Sequence, residues 1–106
     1  MNFPSKISWI LAGFLAVQMN GRIITPNGDS INDAVAFNLA MPTGQIPQTQ
    51  VYDVRGHRVA QLSEVSPTQW RWDGRDFAGR KVESGVYLVQ ISEAAALWSG
   101  VVAVAK

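Results

Sequence analysis

Apolar and polar residues alternate along much of this chain. Over residues 34–40, Val35, Phe37 and Leu39 fall on one side and Ala36 and Asn38 on the other. A period of two with one apolar side predicts a half-buried strand. Over residues 69–73 the same period puts Trp70 and Trp72 together, with Arg71 opposite. Over residues 86–92, Tyr87, Val89 and Ile91 alternate with Val86, Leu88 and Gln90, so both sides are largely apolar. That pattern predicts a central strand. Shorter runs at 22–25, 48–54, 58–63 and 97–105 complete the set. Pro26, the stretch Pro42–Pro47 and the glycines at 56, 74, 79 and 85 punctuate it.

About seven short strands in residues 22–106, with no helical periodicity between them, predict an all-β domain. Two packed antiparallel sheets, an immunoglobulin-like β-sandwich, are the natural solution, and a small barrel is the alternative. Residues 1–21 read differently. Residues 7–17 are an apolar run broken only by Ser8, and Lys6 is the sole charged side chain of the segment. The run is too short for a bilayer-spanning helix, which takes about 20 residues. Its length fits the apolar region of an export signal. Small residues are wanted at the cleavage site, and Ala16-Val17-Gln18 is the nearest match. The expected division is therefore 1–21 as a signal-peptide-like or retained apolar segment, and 22–106 as the sandwich.

The 106 residues fit one domain. At 47% apolar and 16% charged, the composition excludes a disordered chain. A formal charge of +1 gives no basic stripe for nucleic acid. The absence of cysteine excludes disulfides, thiolate-bound zinc and a thiol nucleophile.

Three motifs are familiar. Pro26-Asn27-Gly28-Asp29-Ser30-Ile31-Asn32-Asp33 resembles the PNGDGxND signature of gliding-motility-associated C-terminal domains. Val51-Tyr52-Asp53-Val54-Arg55-Gly56-His57-Arg58-Val59 is similar to their IYDxxGRxV hairpin, with His57 in place of the usual Arg. Trp72-Asp73-Gly74-Arg75-Asp76, then Gly79-Arg80 and Val82-Glu83-Ser84-Gly85-Val86-Tyr87, resembles WDGRDxxGxxVxSGVY. The last two are also similar to the immunoglobulin-like domain of flagellar hook-capping proteins. The resemblance covers residues 22–106. It implies a sandwich carried by exported bacterial proteins, where relatives serve as type IX secretion sorting signals or as assembly and adhesion modules.

Candidate chemistry is sparse. Asn27, Asp29, Asn32 and Asp33 offer hard oxygen ligands, as calcium prefers, although not at EF-hand spacing. The competing reading has these side chains holding a tight turn. Calcium is the one candidate ion, and no cofactor is expected. Asp73 and Asp76 form a carboxylate pair in a Gly-rich loop, better suited to turn hydrogen bonds than to acid–base work. His57 is the only histidine and sits in a hairpin turn. It could reach a triad only with Ser63, Ser66, Ser84 or Ser92, and no nucleophile-elbow motif is present. Trp70, Trp72, Tyr52 and Tyr87 could form a stacking platform, but the shared parity of Trp70 and Trp72 favours the core. In the uncharged last strand, Trp98, Val102 and Val104 are the candidate contact residues. If the apolar segment is retained, Ile10 and Phe14 join them.

The expectation is a non-enzymatic, exported module acting by protein–protein contact as a structural, adhesive or assembly unit, its partner a protein or a second copy. It would lie outside the cell or on its surface, with the periplasm as the alternative compartment. No nucleic acid is expected, and membrane contact only through residues 1–21. A type IX sorting domain is the second reading, and a calcium-dependent binder of surface carbohydrate the third.

Overall fold

The computed structural model describes residues 16–26, 33–40, 46–93 and 96–105. They form nine strands: β1 (Ala16–Asn20), β2 (Ile23–Ile24), β3 (Val35–Ala40), β4 (Gln48–Tyr52), β5 (Arg58–Ala60), β6 (Ser63–Ser66), β7 (Gln69–Trp72), β8 (Gly85–Glu93) and β9 (Ala96–Val104). One sheet runs β1-β3-β7-β6 and the other β2-β9-β8-β4-β5. The fold is an all-β, immunoglobulin-like sandwich, as the alternation requires. Strand β2 adds to β9 in parallel, and the other pairings among the described strands are antiparallel.

The inner faces follow the predicted parity. Val35, Phe37, Leu39, Trp70 and Trp72 come from the four-stranded sheet. Ile24, Val51, Tyr87, Val89, Ile91, Val102 and Val104 face them from the other. Each such side chain contributes about 1.5–3 kcal/mol by leaving water. Two aromatic pairs join the sheets edge-to-face: Trp72–Tyr87 at 5.4 Å and Phe37–Trp98 at 5.9 Å between ring centroids.

Two elements differ from expectation. The segment read as one strand over 58–63 leaves the five-stranded sheet after Ala60 and becomes β6 of the other. Buried Leu62 turns the corner, its N–H donating to Thr49 Oγ1 at 3.0 Å. The strands do not stop at the expected boundary after residue 21. Strand β1 lies before it, paired with β3, and Val17 and Met19 pack against the core. Val17 and Met19 alternate with Gln18 and Asn20, so β1 obeys the same period of two, hidden in sequence behind the apolar run. Ile10 and Phe14 lie outside the described residues, as does the rest of that run up to residue 15.

Trp98 depends on a missing side chain. A Cβ at Gly100 would clash with Trp98 Cη2, so the indole ring occupies the space above this glycine. We expect Gly100→Val to displace the ring, break its contact with Phe37 and cost about 1–3 kcal/mol. Thermal unfolding, with tryptophan near-UV circular dichroism to report the ring, measures both effects.

Candidate functional site

The acidic residues that invite a chemical reading are engaged in turns. Asp53-Val54-Arg55-Gly56-His57 and Asp76-Phe77-Ala78-Gly79-Arg80 adopt the same hydrogen-bonded turn. In the first, Asp53 Oδ1 accepts from the N–H groups of Arg55 and His57, both at 2.9 Å. In the second, Asp76 Oδ1 accepts from Ala78 at 2.9 Å and Arg80 at 3.0 Å. The Gly56 and Gly79 N–H groups donate back to the carbonyls of Asp53 and Asp76. Both glycines stand at positive φ, 87° and 82°, where a β-carbon is strained. Asp73 Oδ1 likewise accepts from the N–H of Arg75 at 3.2 Å. The Phe77 N–H donates to the Val59 carbonyl, and the Arg58 guanidinium lies over the Phe77 ring, so the second turn is fastened to β5.

Between these turns lies a cleft of about 330 Å³, lined in part by Asp53, Asp76, Arg80, Glu83 and Tyr87. The His57 N–H holds the Asp53 carboxyl below the usual carboxylate range, with the Arg55 N–H and the nearby positive charges adding to it against partial desolvation. Burial, then the charges of Asp53 and Glu83, push the Tyr87 hydroxyl up. It therefore stays protonated at neutral pH and donates to the Glu83 carbonyl at 2.7 Å. His57 is exposed, with Nδ1 3.6 Å from Asp53 Oδ2. This arrangement anchors loops, and the His57 turn does so through backbone groups.

Of the four candidate calcium ligands, Asn27, Asp29 and Asn32 lie outside the described residues. Asp33 borders a cleft of about 220 Å³ with Arg71, Asp73, Arg75 and Lys81, where cations outnumber carboxylates. Among the described residues no group of three or more metal-binding side chains comes together. The aromatic residues weighed as a stacking platform do not share an exposed face, and Trp70 and Trp72 lie in the core as their parity favoured. Trp70, Trp72 and Tyr87 are buried, while Tyr52 lies on the outer face opposite Leu88.

The contact residues of the last strand need correction. Val102 and Val104 are inner-face core side chains, 0% and 3% exposed. Trp98 is half-buried against Phe37 rather than projecting outward. The strand exposes the opposite parity: Leu97 is 63% and Val101 51% exposed. Ile23 and Val86 flank Ala103 on the same outer face and are also exposed. Strand β2 covers only Ala103 and Val104 of β9. Along residues 96–102, no other described strand lies on that side. Native edges carry charges, prolines or bulges that discourage pairing. Strand β9 has neither a charge nor a proline, and its register with β8 is unbroken over nine pairs. The sequence signal for these residues was available: fixing Val102 and Val104 as core sends Leu97 and Val101 outward.

No protein-family model and no curated protein sequence matches the chain. Among solved structures it is similar to part of PorZ of Porphyromonas gingivalis, described as an essential bacterial surface component of the type-IX secretion system. The TM-score is 0.64 at 22% identity, over 96% of this chain. The chain spans 13% of PorZ. The likeness is one of fold.

Asp76→Ala strips two backbone N–H groups of their acceptor and should cost about 1–2 kcal/mol in denaturant unfolding. Asp53 titrates with a predictable sign. Its carboxyl is depressed by the fold, so its contribution is complete above about pH 4 and is lost as pH falls through the lower folded value. Asp53→Asn should therefore show a shallower fall in Tm below pH 4 than the parent chain does, measured by thermal melts across that range.

Proposed function

We propose that this chain is a non-enzymatic, exported immunoglobulin-like module that works by protein–protein contact, as a structural or assembly unit at the cell surface. The observation that carries the reading is the outer edge of β9. Over residues 96–102 it offers backbone N–H and C=O groups with no described strand beside them, next to exposed Leu97 and Val101. An added strand would gain main-chain hydrogen bonds there and bury apolar side chains, which is how sheet edges recruit partners. The acids support the non-enzymatic part, because Asp53, Asp73 and Asp76 direct carboxylate oxygens at backbone donors of their own turns. The surface location is supported by the likeness to part of PorZ, itself a surface component.

A second reading, recognition by the type IX machinery as a sorting domain, draws on the same neighbour. The two readings part over what the domain does for an attached protein. A contact module acts in place, whereas a sorting domain moves its cargo.

Site-specific photo-crosslinking in cells producing the full chain tests the first reading. A photoreactive residue at position 97 or 101 should give protein adducts at least several-fold above one at position 64, on the far edge of the other sheet. Val101→Asp should remove the adducts from position 97 without shifting Tm by more than a degree or two. Equal adduct yields at all three positions would overturn the β9 assignment. Fusing residues 16–106 to a reporter tests the second: we expect the reporter to stay behind, and its transfer across the outer membrane would favour sorting.

A further inference from the structure

Among the described strands, β1 is held by one neighbour. Its five residues pair one-to-one with β3, from Ala16 opposite Ala40 to Asn20 opposite Ala36. Val17 and Met19 turn inward and meet the core beside Leu39 and Phe37. No other described strand packs on β1 to a comparable extent. The side of β3 away from β7 is therefore a groove with a defined guest, an extended segment with apolar residues at alternate positions. The chain itself displays that guest in place.

The tether is the unusual part. Strand β1 ends at Asn20 in the four-stranded sheet, and β2 starts at Ile23 in the five-stranded one. Only Gly21 and Arg22 lie between. Packed sheets stand about 10 Å apart. Three residue steps span at most about 10–11 Å when fully extended. The link is short, and it turns at Gly21, whose φ of +91° is unavailable to most residues without strain. Beyond the bend the chain is pinned, since the Ala103 N–H donates to the Arg22 carbonyl at 2.8 Å. A short hinge under constraint, joining a singly held edge strand to a fixed body, is the arrangement that favours exchange between copies.

We propose that β1 is exchanged between two copies of this chain, each lying on β3 of the other. Straightening at Gly21 would carry β1 away from its own β3. A two-fold partner would return an identical strand in the same register, so the β1–β3 hydrogen bonds and the Val17 and Met19 contacts re-form in the dimer. The association costs translational and rotational freedom, so the exchanged form is favoured as chain concentration rises. This inference does not rest on the β9 edge or on its proposed partner.

The absence of cysteine in the chain makes the test direct. Gln18 and Asn38 face each other across β1 and β3, and both are exposed. Facing residues of an antiparallel pair have Cα atoms about 4.5–5.5 Å apart, within disulfide range. Two full-length single variants, Gln18→Cys and Asn38→Cys, are mixed, unfolded, refolded together and oxidised. Exchange predicts a covalent dimer whose linked peptide joins position 18 to position 38, alongside dimer-sized unmodified chain by light scattering. Inserting Gly-Gly-Ser after Gly21 gives the link slack and should lower the yield of that peptide by tenfold or more. The double variant tells the alternatives apart if the mixture gives no such peptide. Closure within a single chain, at concentrations up to the millimolar range, would overturn the proposal. So would a dimer by light scattering that lacks the 18–38 link, because that dimer must form through another surface.

Discussion

The edge-to-face contact between Trp72 and Tyr87 is the interaction on which the rest of this sandwich depends. It ties β7 to β8 across the layers, and both rings are buried. Each ring also has a polar end that must be satisfied inside the fold. The Trp72 indole N–H donates to the Arg75 carbonyl at 2.9 Å, and the Tyr87 hydroxyl donates to the Glu83 carbonyl. Both acceptors belong to the connection between the two strands. One aromatic pair thus packs the sheets, orders the loop and places the Asp76 turn against β5. The Phe37–Trp98 pair repeats the cross-layer contact nearer the β1 side, without the polar tethers.

This packing decides what the surface can offer. Once Tyr87, Val89 and Ile91 face inward, the register of β8 with β9 sends Val102, Gly100 and Trp98 inward with them. Leu97 and Val101 must then face out. The exposed apolar face of β9 is therefore a consequence of the core and needs no side chain placed for its own sake. Gly100 is the point where the two meet, because it makes room for the ring that closes the core beneath the exposed strand.

Much of the fold was legible where one face of a strand is buried and the other is not. Val35, Phe37 and Leu39 declare β3, and Trp70 and Trp72 declare β7, because burial imposes the period of two directly. Strand β6 was illegible for the opposite reason. Ser63, Glu64 and Val65 are all exposed, so no alternation is imposed on them. Strand β1 was hidden because Ala16 and Val17 end a continuous apolar run, and continuous apolarity carries no period. Trp98 read as an exposed anchor because the small residues before it, up to Ala96, give no parity. Only the pairing with Ile91 fixes its direction. The matching turns at Asp53 and Asp76 share just an Asp and a Gly three residues later, too little to stand out as a repeat.

The two sides of the sandwich treat their edges differently, and this bears on how the molecule meets others. On one side, β5 and β6 carry Arg58 and Glu64, and the register shifts at Val51/Tyr52 and at Glu64/Ser66. Charge and irregularity both discourage an added strand. On the other side, β1 and residues 96–102 of β9 are uncharged, and their ladders are regular. The links Gly21-Arg22 and Gln61-Leu62 hold each pair of edges together, since each joins a strand of one sheet to a strand of the other. Protection is thus assigned by side rather than by strand. A domain stabilised by its core alone has no need of such asymmetry. Among the described strands both unguarded ladders lie on one side, so a contact made through them approaches from a single direction, with the Asp-anchored turns and the charged edges set away from it.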